Sequence, residues 1–162
     1  MYRPKFSYNA LQKGIIEKLE ETGKLLKKFE YEAQPISPRE FYDYMTGDTP
    51  TGDITTIVDV LGSQFLMIHE VVEISELKKG GVIIDENTVM KLFPSIYEQH
   101  LTATEYEMKY ALHKKDYEWL ELRLNHAKSW LEDAHMPQHV IPRCKAIIKK
   151  ISEALDKEKE TI

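Results

Sequence analysis

The chain is poor in the residues that staple or punctuate a fold: its 162 residues include one cysteine, seven glycines and seven prolines. A single thiol, Cys144, excludes an intramolecular disulfide and points to a reducing, cytoplasmic setting. Arg143 and Lys145 flank it near an expected helix start and would lower its pKa, but lone cysteines are usually buried, so Cys144 reads as a small packing residue. Glycine-rich phosphate loops are excluded, because Gly80-Gly81 lacks the flanking glycines and lysine that such loops use. No apolar run approaches ~18 residues, so no membrane span is expected, and Met1–Lys5 leads into no signal-like stretch. Excess positive charge is also missing: a formal net charge of −5 disfavours nucleic acid as a partner. No internal repeat or low-complexity block is present.

What is present is apolar residues at helical spacing. Tyr8, Leu11, Ile15, Leu19, Leu26 and Phe29 recur at steps of three and four, with Thr22 in the gap, which predicts a helix from near Ser7 to about Ala33. Ser37-Pro38-Arg39-Glu40 is a capping box with proline at the first helical position, opening a short helix that Gly47 stops. Asp48–Asp53 reads as a loop. A second long helix is expected from about Asp53 to Lys79, apolar over most of its girth and therefore central, with Gly62 as a point of bending. Val82-Ile83-Ile84 is a short extended connector, Asp85–Phe93 a short helix, and Pro94 restarts the pattern. Helices follow at about Ser95–Lys114, from Asp116 as a cap to about Ala134, and at about Gln138–Lys157, the first two forming a helical hairpin through Lys115-Asp116. The expected fold is all-α: one domain over 1–162, an antiparallel bundle of four long helices plus one or two short helices. Its charged tail from about 156 to 162 should fray.

The candidate chemistry lies in Ile68-His69-Glu70-Val71-Val72-Glu73-Ile74-Ser75-Glu76. His69 and Glu73 are helical neighbours at i and i+4, and Glu76 follows by three. On a wheel continued through the whole second helix, Glu76 falls beside Val58 on the apolar face and His69 sits at its edge. Inward carboxylates need compensation. A divalent metal held by His69, Glu73, Glu76 and His100 is one form of it. Glu107, two turns beyond His100 on the same side of its helix, and His126 are further candidates. The alternative is an ion pair with Arg123, which falls among Trp119 and Trp130 and needs a carboxylate or an aromatic partner; Glu73 or Glu76 is the expected acid.

His69-Glu70-Val71-Val72-Glu73 resembles the HExxH motif of zincins, with glutamate as the second ligand. It also resembles the HDxxE segment of HD-domain nucleotidases, with Glu70 for the aspartate. Both likenesses end within five residues, and no histidine precedes His69 to supply the earlier ligand of the HD pattern. Glu17/Glu20 and Glu40/Asp43 match the ExxE…ExxD spacing of all-α nucleotide pyrophosphatases, a chance-level match in a chain with 27 acidic residues. His113, His135 and His139 read as surface groups.

Two functions follow as expectations. One is a non-catalytic interaction module or homo-oligomer whose partner is a second copy of itself, for which a broad exposed apolar patch would be the sign. The other is a divalent-metal-binding protein, with a metal-dependent hydrolase as its catalytic form, in which Glu70 moves the proton of a metal-bound water.

Overall fold

The computed structural model of the chain describes residues 6–50 and 55–160. Within them the secondary structure is all-helical. The eight α-helices are α1 (Tyr8–Lys28), α2 (Pro38–Thr46), α3 (Ile57–Leu61), α4 (Gln64–Lys79), α5 (Thr88–Leu92), α6 (Tyr97–His113), α7 (Tyr117–Trp130) and α8 (Ile141–Glu160), with a 3-10 turn at Gln138–Val140 before the last. Five of these are long, not four. No described helix is long and apolar enough to cross a membrane.

The helix ends follow local chemistry. Ser37 Oγ accepts from the Glu40 amide and the Glu40 carboxylate accepts from the Ser37 amide, completing the capping box of α2. Gly47 ends that helix against the backbone of Glu86, where a Cβ would sit 2.1 Å from the carbonyl oxygen. Gly81, at φ 84°, closes α4: its amide bonds to Lys78 and that of Val82 to Leu77. Asp116 caps α7 by accepting from the Trp119 amide.

Three expectations are corrected. The first helix stops at Lys28, because Glu30 adopts a left-handed conformation (φ 60°) and turns Tyr31 into the core. The second long helix is two helices: Gly62 ends α3, and Ser63 starts α4 afresh by accepting from the Leu66 amide. The expected start of that helix, at residues 53 and 54, lies outside the described residues. The last helix runs through Glu160, past the onset of the charged tail, whose lysines and glutamates are good helix formers; residues 161 and 162 lie outside the description.

The most extensive helix pairing is α4 on α6. On one side of this pair, α1, α2 and α3 build an apolar cluster around Ile15, Leu26, Phe41, Ile57 and Met67. On the other, α7 and α8 build a second cluster around Leu120, Leu124, Val140, Cys144 and Ile147. Phe65 packs against both clusters and stacks on Trp119 with ring centroids 4.9 Å apart. Cys144 is fully buried, and burial pushes its thiol up rather than down.

Candidate metal centre

The pairing of α4 with α6 brings His69 and Glu73 against His100 and Glu107. These are one-turn and two-turn spacings, so each helix offers its pair along one face. His69 is 3% exposed, Glu73 7% and Glu107 0%. The side chain of His100 keeps 26% of its surface open.

Three atoms form a nearly equilateral triangle. His69 Nε2 lies 3.1 Å from Glu73 Oε2 and 3.0 Å from His100 Nδ1. His100 Nδ1 lies 3.1 Å from the same Glu73 oxygen. The other Glu73 oxygen, Oε1, accepts from the Tyr44 hydroxyl of α2.

The opposite side of His69 is fixed by a carboxylate. His69 Nδ1 lies 2.9 Å from Glu107 Oε1, and an ionised Glu107 can only accept, so Nδ1 carries a proton. Glu107 is held in turn by α7. Trp119 Nε1 donates to Oε2 at 2.6 Å and Arg123 Nη2 donates to Oε1 at 3.1 Å. Arg123 Nε stands 2.8 Å from Oε2 as a charge contact, bent too far for a hydrogen bond. The guanidinium also lies 5.5 Å from the Trp130 ring centroid, and Trp130 meets the His100 ring in a T-shaped contact with centroids 4.5 Å apart.

These contacts set the charges. Burial opposes ionisation of Glu107, but the adjacent Arg123 charge and the His69 bond bring its pKa below the ordinary value. Burial likewise acts against charged Glu73, yet the bonds from His100 and His69 hold it well below the usual carboxylate range. For His69, burial lowers the pKa, and the bonds to Glu107 and Glu73 overcome it and push the value up to about 10. His100 is lowered, by burial first, with the Glu73 bond opposing. Without a metal the cluster therefore holds two carboxylates, an imidazolium and a guanidinium, which sum to zero.

Of the residues singled out from the sequence, His69, Glu73 and His100 converge as possible ligands. Glu76 does not join them. It accepts from Tyr31 at 2.6 Å and pairs with Lys79 at 3.3 Å. The wheel that placed it beside Val58 ran through the break at Gly62–Ser63, and Val58 is itself exposed. Arg123 pairs with Glu107, not with Glu73 or Glu76. Glu70 lines the cavity onto which the trio opens, as does His126, whose Nδ1 lies 3.2 Å from Arg123 Nη1. Glu40 and Asp43 pair with Lys78 and Arg39, while Glu17 and Glu20 are exposed on α1. His135 and His139 contact different acids, Asp133 and Glu98. The sequence does not single out Tyr44, and it singles out Trp119 only as a neighbour of Arg123; their hydroxyl and indole N–H reach the site through the tertiary packing.

Comparison with protein-family models, with curated proteins and with solved structures gives no match for this chain. The functional reading therefore stands on the geometry of this cluster.

Proposed function

We propose that the chain binds one divalent transition-metal ion through His69 Nε2, Glu73 Oε2 and His100 Nδ1. The triangle of ligand atoms carries this reading. Each ring nitrogen has one in-plane site, filled by a proton or a lone pair, and Glu73 Oε2 only accepts. If both nitrogens donate to Glu73, two N–H groups face each other across 3.0 Å. If one nitrogen is bare, its lone pair faces the carboxylate or the third edge goes without a proton. Protons can satisfy two edges of the triangle, whereas one cation at its centre satisfies all three atoms.

The edge length points to a coordination class. With metal–ligand bonds of about 2.1 Å, adjacent ligands of an octahedron stand roughly 3.0 Å apart and those of a tetrahedron roughly 3.4 Å apart. The observed edges are 3.0–3.1 Å. Two histidines and one carboxylate on a single octahedral face leave three positions open, an arrangement suited to iron(II) and its neighbours manganese and cobalt. Glu107 completes the design from behind, since a carboxylate on the far ring nitrogen fixes the tautomer that presents Nε2 to the metal. A water on the open face would be acidified by the metal, and of the two further carboxylates on the cavity wall, Glu70 would take its proton, since Asp133 is engaged by Tyr97 and His135.

The interaction-module reading has weaker support. The large apolar side chains most exposed among the described residues, such as Ile16, Val58, Ile83, Met90, Leu112 and Leu122, come one from each of several elements.

The test is calorimetric titration of metal-free protein with manganese(II), cobalt(II), zinc(II) and, without oxygen, iron(II). One site per chain is expected, lost in Glu73→Gln and His100→Ala. Absence of binding by any of the four ions, or binding that both variants leave intact, overturns the proposal.

A further inference from the structure

The trio faces a cavity of about 510 Å³, within the range of small-molecule sites. All three ligand residues line it, so open coordination positions on a bound metal would point into it. Phe93, Tyr97 and Trp130 contribute aromatic wall, and Leu66, Val89 and Ile96 aliphatic wall.

Arg123 lines the same cavity. Its Nη2 spends one N–H on Glu107 and its Nη1 one on His126. A guanidinium has two N–H groups on each terminal nitrogen, so one on each is left for a ligand. The guanidinium and the His100 ring both lie against Trp130, which places a fixed cation beside the metal position.

Charge narrows the ligand class. A divalent metal displaces the proton on His69 Nε2. The cluster then holds the metal, Arg123, two carboxylates and two neutral imidazoles, a net charge of +1. A monoanion neutralises this inner sum, which counts only the groups around the metal position and leaves out Glu70 and Asp133 on the cavity wall. A dianionic phosphate would over-neutralise it in a cavity already lined by Glu70 and Asp133.

On the basis of the metal site proposed above, we infer that the cavity binds a small monocarboxylic acid with an apolar or aromatic body. One carboxylate oxygen takes an open position on the metal, the other accepts from Arg123, and the body packs between Trp130, Phe93 and Val89. No covalent change is involved.

The experiment uses the cobalt(II)-loaded full chain, whose visible d–d spectrum reports a change of ligand. The probe is benzoate, with methyl benzoate and inorganic phosphate as controls. Saturable spectral change with benzoate is expected, with at least tenfold weaker binding of phosphate and none of the ester. Val89→Trp, which fills the apolar end without touching a ligand, should weaken benzoate at least tenfold while cobalt stays bound. Cobalt bound with a spectrum indifferent to benzoate overturns the inference and leaves the metal site standing. So does an equal response to the ester or to phosphate. Failure of cobalt itself to bind overturns both. Should Val89→Trp not fold, the wild-type comparison of acid, ester and phosphate decides alone.

Discussion

Glu73 and Glu76 lie one turn apart on α4 and look equivalent in the sequence, yet they belong to different chemistry. Glu73 is 7% exposed and touches two imidazoles and a tyrosine hydroxyl. Glu76 keeps 28% of its side chain in contact with solvent, and its partners are Tyr31 and Lys79. Lys79 also lies over the Tyr31 ring, 4.1 Å from its centroid. Near Glu76, water screens the charge and a lysine can swing in or out. Near Glu73, each named partner is fixed by a helix and little of the carboxylate is exposed, so its lone pairs are met by defined groups. The same residue type is a part-exposed ion pair in one turn and a candidate ligand in the next, because Glu73 meets His100 of α6 while Glu76 meets Tyr31 and Lys79.

The largest expected effect comes from the acid that anchors the buried side. Glu107→Ala leaves Arg123 and protonated His69 without the fully buried carboxylate that pairs them. Breaking a buried pair from one side costs about 3–5 kcal/mol, and the denaturant midpoint should fall accordingly. A loss below about 1 kcal/mol would mean that Glu107 contributes no more than Glu76, and the contrast between the two regions would collapse. Next comes Glu73→Gln, which keeps the shape and removes the charge. Metal affinity should fall by more than the roughly 10–100-fold typical of an outer-shell partner. Glu76→Gln should leave it unchanged, and calorimetry on the two variants side by side measures the difference.

How much of this was legible beforehand depends on range. The helical class, the capping box at Ser37 and the cap at Asp116 are local chemistry, and the sequence states them. The i, i+4 relation of His69 and Glu73 is equally local. The inclusion of Glu76 rests partly on its three-residue step from Glu73, which lies within α4 and survives the break at Gly62–Ser63; the break removes only the comparison with Val58, and Glu76 drops out because its carboxylate meets Tyr31 and Lys79 instead. The partner of Arg123 was unreadable for another reason. Glu107 is sixteen residues away across a turn, and only the return of α7 beside α6 decides which of several acids it meets. The spacing of seven between His100 and Glu107 was the one available sign that both would face α4.

Alkaline pH should separate the regions as well. The folded pKa of His69 is raised to about 10, above the ordinary value near 6.5. The stabilisation from its charge is therefore fully present below about 6.5 and is lost as pH rises through about 10. Metal-free protein should lose unfolding free energy across that window, and His69→Gln should flatten the slope. Metal must displace the same proton, so affinity should rise with pH over the same range. A flat stability profile in metal-free protein from pH 7 to 10 would show that His69 is not charged in the folded state.

The smallest effect tests the exposed side of the comparison. Tyr31→Phe removes the hydroxyl that Glu76 accepts and keeps the ring over which Lys79 lies. Glu76 retains Lys79 and access to water, so no buried charge is stranded. The expected loss is about 1.5 kcal/mol, the lower end for a hydrogen bond to a charged group, because Glu76 is partly open to water. Glu76→Gln in the same background should add little, because the two residues act through one bond and their effects overlap. A double-mutant cycle by denaturant unfolding measures this directly. A loss of several kcal/mol on Tyr31→Phe would mean that Glu76 depends on its partner as Glu73 does, and solvent access would then not be what divides the two turns of α4.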